Sequence, residues 1–373
     1  MLLIEIAKKL AREFATRADE ADKAGKLPPA DIAALKPSGY LAASVPRELG
    51  GAGAPLRECM EAQIELAQGS ASTAMVAAMQ LHVFGHARET RPWPENIFAE
   101  FCARAVCGEI FNSVASEPLL GSPSRGGLPE TYAEATPDGW RLHGHKTWAT
   151  GGRHIDHLLV RARIQAEPAV FWVEKSAAGL EWAETWQHAL SLRASESHDA
   201  FFRGVCLRPE ALIARGRDGT KNAWFPMLIT ATYLGAAYAA RKALVVYARE
   251  RVPTALGKPI ATLPAIQRQM GEIEIALQAA RALLLEAASV WDEAAHHRES
   301  ARTDAAYARI VAAKHFATEA ANTVTDKALK VAGGASITSA LSLERHFRDV
   351  RAGPMHPPSG DTALELVGRA VLE

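Results

Sequence analysis

Apolar positions recur at helical spacing through the first hundred residues. Leu3, Ile6, Leu10 and Phe14 stand among charges and predict an amphipathic helix rather than a signal peptide, which needs an unbroken apolar stretch. The same periodicity predicts helices over 2–24, 30–36, 55–68, 71–88 and 95–105, with Pro29 in a first turn and Pro37-Ser-Gly as a stop. Between about 108 and 213 the period shortens to two. Trp140-Arg-Leu-His, His157-Leu-Leu-Val-Arg-Ala-Arg-Ile and Ala169-Val-Phe-Trp-Val-Glu, separated by turns such as Pro137-Asp-Gly, predict antiparallel sheet closed as a barrel or sandwich. From about 219 the helical period returns. Ile266, Met270, Ile273, Leu277, Ala280 and Leu284 form a seam facing other helices, and further helices are expected over 222–250, 301–331, 341–350 and 361–372. Helices, then strands, then long helices joined by short loops read as an α+β fold with a C-terminal bundle.

One stretch admits two readings. Ala223 to Ala240 carries no charge, and its length touches the lower limit for a membrane span. It also holds Pro226, Thr230, Thr232 and Gly235 and ends in alanines, so a helix buried on all sides fits it better.

Composition narrows the classes. The 373 residues are 48% hydrophobic and 23% charged, enough for a large core and against dominant disorder. Lys plus Arg equals Asp plus Glu at 42 each, so nothing suggests a surface built for nucleic acid. The 4 cysteines, Cys59, Cys102, Cys107 and Cys206, have no CxxC spacing and no clustered histidines, which predicts reduced, mostly buried thiols, a cytoplasmic setting and no metal site. Dinucleotide-binding, P-loop, HExxH and GxSxG signatures are missing from the sequence.

Candidate chemistry sits in a few passages: Ser116-Glu-Pro-Leu-Leu-Gly-Ser, Gly144-His-Lys-Thr-Trp-Ala-Thr, Leu190-Ser-Leu-Arg-Ala-Ser-Glu-Ser, Gly333-Gly334 and Arg345-His-Phe-Arg-Asp. Singly, each reads as an ordinary turn or helix stop. In this order, and with Gly39-Tyr40 leading to Pro46-Arg-Glu-Leu-Gly-Gly-Ala-Gly, they resemble the acyl-CoA dehydrogenase superfamily of flavoproteins over nearly the whole chain. The resemblance implies an N-terminal helical domain (1–109), a central antiparallel β-barrel (110–215) and a C-terminal four-helix bundle (216–373) in a homotetramer. It also implies FAD, with FMN as the alternative. Trp148 would pack on the isoalloxazine, Ala149 and Thr150 would lie near N5, and Ser113, Ala115 and Ser116 would meet the pyrimidine edge. Ser122 would touch flavin or substrate, and Ser359 matches a family threonine. Arg251, Lys330, Gly333 and Gly334 would serve the phosphate and adenine half.

The chain departs from the family at the catalytic base. Counting from Arg348, the usual glutamate position holds Pro357; the alternative position lies near Leu228, and no Glu occurs in 219–249. Arg351-Ala-Gly-Pro-Met-His-Pro-Pro-Ser instead resembles the R-x-x-x-L-H-D-P motif of dibenzothiophene-monooxygenase-like members, with Pro357 where that motif has Asp. His356 matches its histidine, and His82 resembles a second one. Two reactions therefore stay open. One is oxidation of an acyl thioester with His356 or Asp361 as substitute base and an electron-transfer protein as partner. The other is oxygenation by reduced flavin and O2 with a flavin reductase as partner. A non-catalytic flavin- or acyl-binding protein is a third reading.

Overall fold

The computed structural model describes residues 2–120, 127–217, 219–297 and 300–372. Six helices come first: α1 (Leu3–Ala15), α2 (Ala18–Ala24), α3 (Pro29–Leu35), α4 (Leu56–Ala67), α5 (Ala71–Thr90) and α6 (Glu95–Val106). The single helix expected over 2–24 is two. The break lies at Thr16 and Arg17, where the Thr16 hydroxyl turns back on the Glu13 carbonyl and Arg17 leaves the helix line to pair with the buried Asp31 carboxylate at 2.7 Å.

Eight strands follow: β1 (Phe111–Val114), β2 (Tyr132–Thr136), β3 (Gly139–Ala149), β4 (His157–Ile164), β5 (Glu167–Glu174), β6 (Leu180–Ala183), β7 (His198–Leu207) and β8 (Leu212–Arg215). Their order is β6-β7-β3-β2-β4-β5-β8, with β1 also on β4. The sheet is open and mixed, and the expected antiparallel barrel is not formed. Among the described residues the end strands β6 and β8 do not pair with each other, so the sheet stays open, and its mixed character comes from β4. One edge pairs with β5 along its whole length, while on the other β1 runs parallel opposite 157–160, leaving β2 a single pair, Tyr132 with Arg163. Strand β4 is therefore apolar on both faces. Leu159 joins Trp172 in a cluster under α5 and α6, and Leu158 and Val160 join Phe171 and Val173 on the opposite face.

The remaining helices are α7 (Trp224–Glu250), α8 (Pro264–His297), α9 (Ser300–Ala332), α10 (Leu343–Asp349) and α11 (Gly360–Leu372). Helix α7 packs against α8 and α9 on one side and α4 and α5 on the other. That is why the charge-free stretch is buried from Pro226 to Ala237, and among the described residues no helix is long and apolar enough to cross a membrane. The predicted seam of α8 faces inward at Ile273, Leu277, Ala280 and Leu284. Cys59 and Cys102 are buried, but Cys107 and Cys206 are exposed, against the expectation of mostly buried thiols.

Candidate active site

Trp148 ends β3 in an unusual way. The ladder to β7 shifts register between Lys146 and Ala149, and Trp148 adopts φ 59°, a conformation costly for a bulky residue. The Thr150 amide closes the bend on the Trp148 carbonyl at 2.9 Å. The bend turns the indole outward, 61% exposed, while the two residues that follow it, Ala149 and Thr150, are buried. The bend holds a large flat side chain out of the core.

The wall beside it is built from two loops. Asn112 on β1 donates to the Thr150 carbonyl at 2.9 Å, and its own Oδ1 is buried with no partner among the described residues. Thr150 Oγ1, Ser197 Oγ and Ser195 Oγ form a row at 2.9 and 2.8 Å. Ser195 and Ser197 belong to the third sequence passage, whose Glu196 is fixed by the Leu27 amide at 3.0 Å. Strand β1 is set by α5: Gln80 accepts from the Phe111 amide at 3.0 Å and donates to the Leu41 and Glu109 carbonyls.

The segment 113–120 is held to β3 by a buried ion pair. Lys146 Nζ lies 2.6 Å from Glu117 Oε1, and the Glu117 carboxylate also accepts the Glu130 and Thr131 amides. Burial pushes Lys146 down to about 8 and by itself would raise Glu117, but the bonds from Lys146 and Thr131 outweigh it and hold the carboxyl low. The Ser116 carbonyl accepts the Thr147 amide at 3.0 Å, and the Ala115 carbonyl faces Lys146 at 3.4 Å. Ser113, Ala115 and Ser116 thus present half-buried atoms along one edge, next to the passage of Trp148. Ser122 lies outside the described residues.

The two candidate histidines converge although 274 positions separate them in the numbering. His82 on α5 meets the Phe225 ring of α7 edge-on at 5.1 Å, and His356 meets the same ring at 6.1 Å. His356 Nε2 is 2.9 Å from the Tyr233 hydroxyl, two turns further along α7 from Phe225. The loop carrying His356 is anchored by Lys314 of α9, whose ammonium donates to the Pro354 carbonyl at 3.3 Å and the His356 carbonyl at 2.9 Å. Burial, helped by Lys314, pushes His356 down to about 4. Burial, with His86 and Arg161, pushes His82 down to about 3, and its Nδ1 has no partner among the described residues. Both rings are neutral at ordinary pH, and no carboxylate contacts either among the described residues.

Other candidates stand apart from this pair. Asp361 is exposed in the first turn of α11, and the Ser359 carbonyl receives the Ala363 amide at 2.8 Å as that helix begins. A groove of about 520 Å³ gathers Arg251 and Tyr247 at the end of α7 with Val331 and Ala332 at the end of α9 and Gly334 just beyond it. Gly333 has φ 64°, a left-handed turn that ends α9 beside it. Lys330 is turned away, paired with Asp326 at 2.7 Å on its own helix.

Sequence reasoning passed over Phe225, Tyr233 and Lys314. A phenol inside a charge-free helix and a lysine destined for the interior were their signals, but neither says which loop they meet. The Glu117–Lys146 pair was visible as two ionisable residues inside motifs, without a reason to join them.

Residues 1–88, 113–205 and 227–358 match, in turn, the N-terminal, middle and C-terminal domains described for acyl-CoA dehydrogenases. The chain is 35% identical over 370 residues to the putative acyl-CoA dehydrogenase YdbM of Bacillus subtilis (strain 168), covering 98% of this chain and 95% of that protein. Its structure is similar to TdsC from Paenibacillus sp. A11-2 in a complex with FMN and indole (TM-score 0.89, 24% identity, 99% and 96% of the two chains). It is also similar to butyryl-CoA dehydrogenase from Megasphaera elsdenii (TM-score 0.86, 22% identity, 100% and 97%). The two structural likenesses speak to the fold.

Proposed function

The chain belongs to the acyl-CoA dehydrogenase family, and from that premise we propose that it is a flavin-dependent enzyme that oxygenates a small organic substrate with reduced flavin and O2. The residues present fit a flavin. An exposed indole offers a face for a flat tricyclic ring, with the edge formed by Ser113, Ala115 and Ser116 and the Thr150–Ser197 row as polar neighbours. The Arg251–Gly334 groove suits a phosphate-bearing tail, a guanidinium and an open backbone being good phosphate partners. When bound, reduced flavin supplies the electrons that activate O2.

The observation that carries the choice of reaction is the pair of neutral imidazoles on either side of Phe225 with no carboxylate in contact. Removing the α-proton of a thioester falls in this family to a glutamate, and neither position where one is expected carries a carboxylate here. A neutral histidine accepts or offers a hydrogen bond to an oxygen atom at neutral pH. His356 takes that role here, and His82 lines the same apolar wall in its neutral form. Half-buried Phe225 and buried Tyr233 line the wall with apolar surface. The TdsC structure with FMN and indole accords with this reading. A flavin reductase as electron source and a homotetramer complete it.

Oxidation of an acyl thioester is the second reading, favoured by the relative named a putative acyl-CoA dehydrogenase. One experiment separates them. The flavin-loaded protein is mixed without oxygen with acyl-CoAs of several chain lengths, and separately supplied with reductase-generated reduced FMN, labelled O2 and indole. We expect no bleaching by any thioester and label incorporation into indole that His356→Gln lowers by roughly a hundredfold. Bleaching by a thioester would make the enzyme a dehydrogenase.

A further inference from the structure

One histidine outside the site already described is held at both ring nitrogens. His157 opens β4 and is buried. The Trp172 indole N–H, on β5, donates to its Nδ1 at 3.0 Å, and the Glu109 carboxylate, in the turn between α6 and β1, meets its Nε2. An indole nitrogen only donates, and an ionised carboxylate only accepts. Nδ1 therefore carries the lone pair, Nε2 carries the proton, and the ring is neutral. A proton added at Nδ1 would set two N–H groups against each other, so the ring takes a charge only if Trp172 withdraws.

The same ring supports β1. It lies against the Phe111 ring, with centroids 4.4 Å apart, and the His157 amide donates to the Ile110 carbonyl at 2.9 Å. Phe111 is its partner in the parallel ladder, and β1 continues with Asn112, whose buried Oδ1 has no partner among the described residues, and Ser113. We propose that His157, locked by Trp172 and Glu109 as the neutral Nε2–H tautomer, is the positioning residue that sets β1 and so carries Asn112 and Ser113 to the flavin wall. The importance of that wall rests on the flavin reading above. Charged groups reach this lock from several elements. Arg104 of α6 lies 3.4 Å from Glu109 and 3.7 Å from Glu174 of β5, and its guanidinium stands 5.2 Å from the Trp172 ring. Arg208, ahead of β8, stands 5.7 Å from the same ring. Asp156 is taken up by Lys36 at 2.7 Å and by Lys175. From α5 come only the neutral Gln80, bonded to the Phe111 amide, and Phe84, edge-on to Phe111. Burial pushes His157 below the usual imidazole range against the pull of Glu109, in keeping with a neutral ring.

The test labels the full chain with nitrogen-15 on histidine and asparagine, and identifies the His157 and Asn112 signals by their loss in His157→Gln and Asn112→Asp. At about pH 7 the wild-type ring shows a protonated Nε2 and a bare Nδ1, unchanged down to about pH 5.5. Trp172→Phe frees Nδ1. With Glu109 still facing Nε2, the ring then charges as the pH falls from about 8 to 5.5, with a midpoint at least roughly one pH unit above that of the wild type. The Asn112 side-chain amide signal of this variant moves with the same midpoint. Glu109→Gln, at a half-buried position, leaves Trp172 in place and keeps Nδ1 bare. A wild-type ring protonated on Nδ1, a Glu109→Gln ring that switches to Nδ1–H, or an Asn112 signal in Trp172→Phe that ignores the charge on His157 would overturn the inference. Over the same pH range the Kd for FMN of Trp172→Phe, divided by that of the wild type, rises by roughly fivefold. If Asn112 follows the ring but FMN binding does not, or FMN binds neither protein, the flavin reading of this wall fails and the positioning of β1 by His157 stands.

Discussion

Burial at single residues decides the protonation state of this site. His82 is held down to about 3 and His356 to about 4, so acid protonates the unfolded chain before it protonates either native ring. Their contribution to stability is complete above about pH 6.5 and is lost as the pH falls toward the folded values. Asp349 works the other way. Burial, against the pull of Arg345, raises it to about 6, so the native state takes up a proton first and gains as the pH falls through that value. Comparison with one variant isolates the histidine share. His82→Phe should flatten the rise of unfolding free energy between about pH 4 and 6 by up to roughly 1 kcal/mol per pH unit, read by urea titration at several pH values. A slope equal to that of the wild type would mean His82 is not buried neutral. His82 and His356 were legible as candidates from sequence motifs, but their neutrality was not, because it follows from burial, with His86 and Arg161 acting on His82 and Lys314 on His356.

The element that organises the site is α7. It presents Phe225 to both histidines and Tyr233 to His356, while Trp224 inserts toward α5. Room for that indole exists because α5 has a glycine there: a Cβ on Gly85 would lie 2.1 Å from Trp224 Cδ2. The Trp224 N–H is satisfied by Glu89 at 2.7 Å, one turn further along α5. Gly85→Ala therefore has no soft neighbour to displace and must push α5 off α7, at a cost of about 1–3 kcal/mol. The expected result is a lower urea midpoint with an unchanged m-value and weaker activity, because His82 rides on α5 and its partners on α7. An unshifted midpoint would show that the two helices are not in tight contact. The helix periods of α5 and α7 were readable along the chain. Their contact was not, since a small residue opposite a large one has no signature within either helix.

At the scale of the whole molecule, the proposed site would draw on all three runs of elements: α5 from the first, Trp148 and the 113–120 segment from the sheet, α7 and the His356 loop from the last. The Arg251–Gly334 groove lies in the final run, where the end of α7 meets the end of α9. If the groove receives the adenine half of a cofactor, Arg251→Ala should raise the Kd for FAD by roughly tenfold and leave that for FMN within about twofold, since FMN lacks the second phosphate and the adenine. Equal losses for both flavins would remove the groove from cofactor binding. What the sequence alone determined is local: the type and approximate span of most helices and of the strand segments in β3, β4 and β5, the burial of most of the charge-free stretch, and the residues able to do chemistry. Each of these follows from periodicity or residue type over a few turns of chain. The mixed, unclosed pairing of the sheet was decided only in three dimensions, because which strands share the edge of β4 and whether β6 meets β8 depend on distant segments. The meeting of His82, Phe225, Tyr233 and His356 was decided there too, and so was the burial of Lys314 and Lys146. Contacts between segments hundreds of residues apart depend on how helices and sheet pack, and no local pattern encodes that packing.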